Sequence, residues 1–309
     1  MPPSPPLPNL VPFFTQALKN YQASGSRFRV LCSLPAIASS PSSPPSTSDP
    51  DALPPRHPPR SLLILDSSFN PPTLAHQGMV LSAASASPPP HRILLLLATV
   101  NADKAPQPAT FPQRLAMMHV FARDLLDALP SPTSPCAQNS NGENGAEEEA
   151  QTIVDIAVTT EPYFSSKSAA IAASGFYPHP APEQVFLAGF DTLVRIFNPR
   201  YYPPGAMRAA LAPFFARARL RITARPGDPE YPLPAQTGYL SDGTRRAELA
   251  EWAGRVEIES VGEGGVSFMT GRDTTTNNHN NSPWLSRQYS GNWVALDENE
   301  RRDEDAMGK

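Results

Sequence analysis

The segment Asp66-Ser67-Ser68-Phe69-Asn70-Pro71-Pro72-Thr73-Leu74-Ala75-His76 brings hydroxyls, an amide and an imidazole together in one short stretch. An unbroken apolar run at 62–65 precedes it and a helical pattern at 74–86 follows it. The sequence therefore predicts a strand buried on both faces, a tight loop, and a helix whose first turn holds His76. Free N–H groups at a helix start, backed by the positive end of the helix dipole, favour an anion such as phosphate. The paired prolines stiffen the loop, and the lack of a Gly-Lys-Ser/Thr ending separates it from the P-loop of Walker-type NTPases. A lone histidine here would read as an ordinary half-buried helix residue. Ser68, Phe69, Asn70, Pro71, Thr73 and His76, in fixed register behind a buried strand, argue for a ligand site instead.

Other positions that could do chemistry also follow predicted strands. Lys104, after the apolar run at 93–98, is either a point charge for a phosphate or a solvated lysine, and Arg114 is either its helper or a surface arginine on an amphipathic helix. Gly189 and Asp191 close another apolar run. The glycine permits close backbone approach, and the carboxylate can accept hydrogen bonds from ribose hydroxyls or cap the next helix. Arg225 follows the run at 220–223. No metal site is read: His279 has no partner at ligand spacing, and Cys32 and Cys136 lie in no Cys/His cluster.

Ser68-Phe69-Asn70-Pro71-Pro72-Thr73-x-x-His76 resembles the GSFNPxT-x-x-H signature of nicotinamide mononucleotide adenylyltransferases, a branch of the HxGH nucleotidyltransferase superfamily. Its wording is similar to that of a fungal subgroup. The resemblance implies that Thr73 and His76 occupy the (T/H)xGH positions, that His76 is catalytic on the ATP phosphates, and that Ser68, Phe69, Asn70 and Thr73 line the substrates. It also implies that Lys104 meets the mononucleotide phosphate and that Gly189 and Asp191 form the G-x-D motif beside adenosine. Ser67 stands where the family has glycine, and Ala75 replaces the motif glycine. The second phosphate motif, ISSTxxR, is matched by Val266-Ser267-Phe268-Met269-Thr270-Gly271-Arg272. Ser267 and Arg272 keep the spacing, but Phe268 and Met269 replace two hydroxyl residues. The implied partners are ATP and nicotinamide mononucleotide, the implied cofactor is Mg²⁺ carried with ATP, and the implied products are NAD and pyrophosphate. Nicotinate mononucleotide or another phosphate ester is an alternative acceptor. A catalytically weakened nucleotide-binding relative is the alternative that the altered second motif raises.

These residues need a scaffold that sets strand ends side by side. Apolar runs at 62–65, 93–98, 153–158, 185–188 and 220–223, preceded by a shorter one at 28–31, read as strands. Helical spacing appears at 10–21, 74–86, 111–129, 165–174, 192–197 and 206–218. The alternation predicts an α/β, Rossmann-like parallel sheet with helices on both faces, and ligands of such sheets lie beyond the carboxyl ends of the strands. The expected organisation is an N-terminal helix and short strand (1–35), a disordered Pro/Ser-rich insertion (36–60) and a nucleotidyltransferase domain (61–272). A disordered Asn/Glu-rich insertion (130–150) interrupts the domain, and a polar tail (273–309) follows it. Fifteen of the 39 prolines fall in the first 60 positions. A formal net charge of −4 gives no field for nucleic acid. No apolar run approaches the roughly 20 residues that span a bilayer, and no leader peptide is evident. The expectation is a soluble protein of the cytoplasm, with the nucleus also open, and of undetermined oligomeric state.

Overall fold

The computed structural model describes residues 9–35, 52–100, 109–129, 152–241 and 250–260. Lys104, Ser267, Arg272, His279 and Cys136 lie outside the described residues, as do residues 36–51 of the expected insertion at 36–60, the insertion at 130–150 and the tail from 273. In chain order the elements are α1 (Leu10–Ala23), β1 (Phe28–Leu34), β2 (Ser61–Asp66), α2 (Leu74–Ala86), β3 (His91–Ala98), α3 (Phe111–Ala128) and β4 (Ile153–Thr159). They continue with α4 (Phe164–Ala173), β5 (Glu183–Gly189), α5 (Phe190–Ile196), α6 (Met207–Arg217), β6 (Ala218–Ala224), α7 (Leu233–Thr237) and β7 (Val256–Ser260).

The strands form one seven-stranded sheet in the order β1-β4-β3-β2-β5-β6-β7. β1 is antiparallel to β4, and every other neighbouring pair is parallel. The period of two along each strand divides the apolar residues between two cores. Leu63, Leu65, Ile93, Leu95, Val154 and Val185 pack with Phe14, Val80, Leu115 and Met118 of α1, α2 and α3. Leu62, Ile64, Leu94, Phe186, Leu220 and Ile222 pack with Ile171, Leu193, Leu211 and Phe214 of α4, α5 and α6. This is the α/β architecture with helices on both faces that the sequence predicts. Among the described residues, no helix is long and apolar enough to cross a membrane.

Two edges differ from expectation. β1 runs three residues past the predicted 28–31, with a register shift between Val30 and Cys32. The sequence hides this because Ser33 is polar, yet Ser33 is buried and donates to Asp155 Oδ1 at 2.6 Å. Asp155 also takes a two-pronged ion pair from Arg92 (Nε–Oδ2 2.6 Å, Nη2–Oδ1 2.8 Å) and the Tyr177 hydroxyl at 2.9 Å. Burial pushes the Asp155 carboxyl up, and these donors pull it back. Arg92 also donates to the Leu53 carbonyl, and Leu53 N–H donates to Ser33 Oγ at 3.0 Å. Residues 52–60, the described end of the expected insertion, are thus fastened to the core. At the opposite edge lies β7, absent from the expected strands: every second residue of Val256-Glu257-Ile258-Glu259 is charged, so it forms no continuous apolar run.

The chain lays β3 and β4 to one side of β2, then returns to place β5, β6 and β7 on the other. The switch falls between β2 and β5, where helices leave neighbouring strands toward opposite faces and open a crevice at the carboxyl ends. Leu65 pairs with Leu187 and Gln184 with Ala218, so the 67–73 loop and Gly189 emerge at the same edge.

Candidate active site

At that edge β2 ends in Asp66, and Ser67 N–H still donates to the Leu96 carbonyl of β3 at 3.3 Å. The loop then turns sharply. Phe69 has φ 45°, a left-handed conformation uncommon for a bulky side chain, and its ring is fully buried. Anchoring that ring among His76 (centroids 5.5 Å) and Phe121 (6.4 Å) offsets the backbone strain and sets the loop's path. What Phe69 can offer a ligand is therefore its backbone. Ser68 and Thr73 are exposed, and Asn70 is half-buried.

Thr73 is the N-cap of α2, in extended conformation, and His76 is the third residue of the helix. Thr73 N–H donates to His76 Nδ1 at 2.9 Å, and Thr73 Oγ1 lies 2.8 Å from the same nitrogen. The imidazole takes the place that Glu or Gln holds in a capping box. Nε2 lies 2.8 Å from Ser67 Oγ. Burial beside Phe69 and Phe121 pulls the His76 ring down to about 4, so it is neutral at pH 7. The arrangement is a rigid, uncharged donor at a helix start, where the first N–H groups have no acceptor within the helix.

On the other side of the switch, a Cβ on Gly189 would lie 2.9 Å from Asp191 Oδ1. Gly189 therefore leaves room for the Asp191 carboxylate. Asp191 is half-exposed in the first turn of α5, two residues after the N-cap Gly189. Arg195 approaches it at 4.0 Å. Asp191 is thus an exposed carboxylate in the first turn of a helix that starts at the carboxyl end of β5.

Arg114 is not on the surface. It is buried, donates from Nε to the Ala109 carbonyl at 2.8 Å, and lies 5.3 Å from the Phe111 ring centre, bracing the start of α3. At Arg225 the side chain is exposed, while the buried Gln236 amide grips the backbone N–H and carbonyl, both at 2.8 Å.

Sequence reasoning missed one pair. Lys167 of α4 places Nζ 2.5 Å from Asp66 Oδ2, with both side chains almost wholly buried. The signal was present: Phe164, Lys167 and Ile171 share a helix face at spacings of three and four, so a lysine stands on an apolar stripe. Its partner lies 101 residues away, which no local pattern shows. Among the described residues, no group of three His, Cys, Asp or Glu side chains could hold a metal ion.

A curated protein of Schizosaccharomyces pombe (strain 972 / ATCC 24843), named "Putative nicotinamide mononucleotide adenylyltransferase", is 34% identical to this chain over 213 residues. The match covers 68% of this chain and 72% of that one. No protein-family model matches the chain.

Proposed function

The chain belongs to the nicotinamide mononucleotide adenylyltransferase family, and on that premise we propose that it joins nicotinamide mononucleotide to the AMP part of ATP. One observation supports this reading most: a neutral imidazole at a helix start, held by a backbone donor, at the switch point of a parallel sheet. In the proposed reaction a phosphate oxygen of the mononucleotide attacks the α-phosphorus of ATP. The bond from that phosphorus to the bridging oxygen of the β-phosphate breaks, and pyrophosphate leaves with the electron pair. No covalent enzyme intermediate is needed. The protein's task is to align the two phosphates and stabilise charge on the leaving group.

His76 would stabilise the phosphate as a neutral dipole and not as a cation, its one N–H directed into the site, with the α2 N–H groups beside it. Asp191 would receive ribose hydroxyls. Ser68, Asn70, Thr73, Lys104, Ser267 and Arg272 are proposed as further substrate contacts, and Phe69 through its backbone. Three of the four exposed large apolar side chains among the described residues, Leu74, Val100 and Tyr163, follow β2, β3 and β4. They offer flat or apolar surface to the rings of the two nucleotides. Mg²⁺ is proposed to arrive on the ATP oxygens, and no step is assigned to a protein-held metal.

The test is NAD formation by the full chain from ATP, Mg²⁺ and nicotinamide mononucleotide, with nicotinate mononucleotide as competing acceptor. Turnover is expected, with His76→Ala folded and at least about 100-fold slower. Equal rates in His76→Ala would sink the role given to His76. Exclusive use of the acid mononucleotide would move the assignment to that acceptor.

A further inference from the structure

We propose that Ser67 is a phosphate-binding residue of this site, its hydroxyl oriented by His76 and donating to the anion. The inference deepens the reading above and rests on it for the identity of the phosphate.

The Thr73 backbone N–H can only donate, so its 2.9 Å contact makes His76 Nδ1 an acceptor. A neutral imidazole carries one proton, which then belongs to Nε2. Nε2 lies 2.8 Å from Ser67 Oγ, so the ring donates and the serine oxygen accepts. The serine's own proton must therefore point elsewhere, and among the described residues nothing accepts it. Ser67 N–H is already committed to Leu96, which leaves the hydroxyl as the group this residue can offer a ligand.

The result is a one-way chain of donors: Thr73 N–H to Nδ1, Nε2–H to Ser67, and Ser67 O–H outward. Each bond polarises the next. The last donor stands directly after β2, where the sheet opens its crevice, and it meets an acceptor-only partner best. A phosphate oxygen is one, and a charge-assisted bond to it is about twice as strong as a neutral one. Serine at this position, where the resembling family has glycine, is then a functional replacement that extends the reach of His76.

The competing arrangement has phosphate displace Ser67 and take Nε2–H directly. The two differ in what loss of the hydroxyl does. Removing an obstructing serine would leave turnover intact or raise it, whereas removing the terminal donor would slow it.

The experiment compares the full chain with Ser67→Ala, Ser67→Cys and Ser67→Thr in NAD formation, and measures binding of inorganic pyrophosphate by calorimetry on the same four proteins. Cysteine preserves the shape but is a weak donor, so it stands in if the alanine variant does not fold. Threonine restores the hydroxyl. Expected are a fall in kcat of about 10- to 100-fold in the alanine and cysteine variants, with less than about threefold change in KM for ATP. Pyrophosphate affinity should fall about tenfold in both, and the threonine variant should stay within about fivefold of the parent in each assay. Alanine or cysteine variants within twofold of the parent in kcat and in pyrophosphate affinity overturn the proposal, as does a parent that binds no pyrophosphate. A parent that makes no NAD but binds pyrophosphate through the Ser67 hydroxyl would overturn the assigned reaction and keep Ser67 as the anion ligand.

Discussion

Burial and phosphate binding pull the ionisation of His76 in opposite directions. Taking the ring out of water beside Phe69 and Phe121 disfavours the cation, and the Thr73 N–H aimed at Nδ1 opposes protonation of that nitrogen as well. The free protein therefore holds a neutral ring, with a pKa of about 4. In a proton NMR titration, the His76 ring signal, identified by its loss in His76→Gln, should stay fixed from pH 8 down to about 5.5 and move only as the pH approaches 4. A midpoint near 6.5 would show the ring to be solvated and its tautomer free to exchange. The sequence could supply His76, Thr73 and Ser67 but not the order of donors among them. That order depends on which ring nitrogen faces the Thr73 N–H, and the turn into α2 turns Nδ1 toward it.

At the scale of elements, the loop is held by what flanks it. Asp66 ends β2 and Lys167 lies within α4, so their buried contact ties the strand that feeds the phosphate loop to the helix following β4. Replacing one partner leaves the other charge buried alone. Lys167→Met should cost about 3–5 kcal/mol of unfolding free energy in a urea titration, and Asp66→Asn in the same chain should recover most of it. Additive losses in the double variant would mean that the two side chains do not depend on each other. A second tie acts on α2. Ser82 donates to both Glu259 oxygens at 2.7 and 2.8 Å, and Arg221 reaches Ser82 at 3.0 Å, Glu257 at 2.7 Å and Glu259 at 3.0 Å. The helix that carries His76 is thereby fixed to β6 and β7. Buried strands and helix faces were legible because burial leaves a pattern within a few residues of sequence. Ties such as Asp66–Lys167 and Ser82–Glu259 were not, because their partners are 101 and 177 positions apart. Edge strand β7 escaped because its solvated half dilutes its apolar half.

For the whole molecule, the buried histidines set an acid limit on stability. His119 of α3 is buried against Phe14 in an edge-type ring contact (centroids 6.4 Å), and desolvation, assisted by Arg123, pulls it down to about 4. In the unfolded chain the same ring titrates near its ordinary value of about 6.5. Between those two values the unfolded state binds more protons than the folded one, so stability falls as the pH drops through that window. The penalty is complete below about 4 and absent well above 6.5. His76 adds a penalty of the same sign over the same window. Carboxylates also titrate on the way down, but they are common to the parent and to a His119→Gln variant, so the difference between the two isolates the ring. Urea titrations at pH 7 and pH 5 should show the parent losing on the order of 1–2 kcal/mol more than the variant across that interval. The alternative is a pair of stability curves that run parallel from pH 7 to pH 5. That would mean His119 exchanges protons with water in the folded protein, and the α1–α3 face beneath the phosphate loop would then be open to solvent where the structure places Phe14 and Phe121 in a closed core.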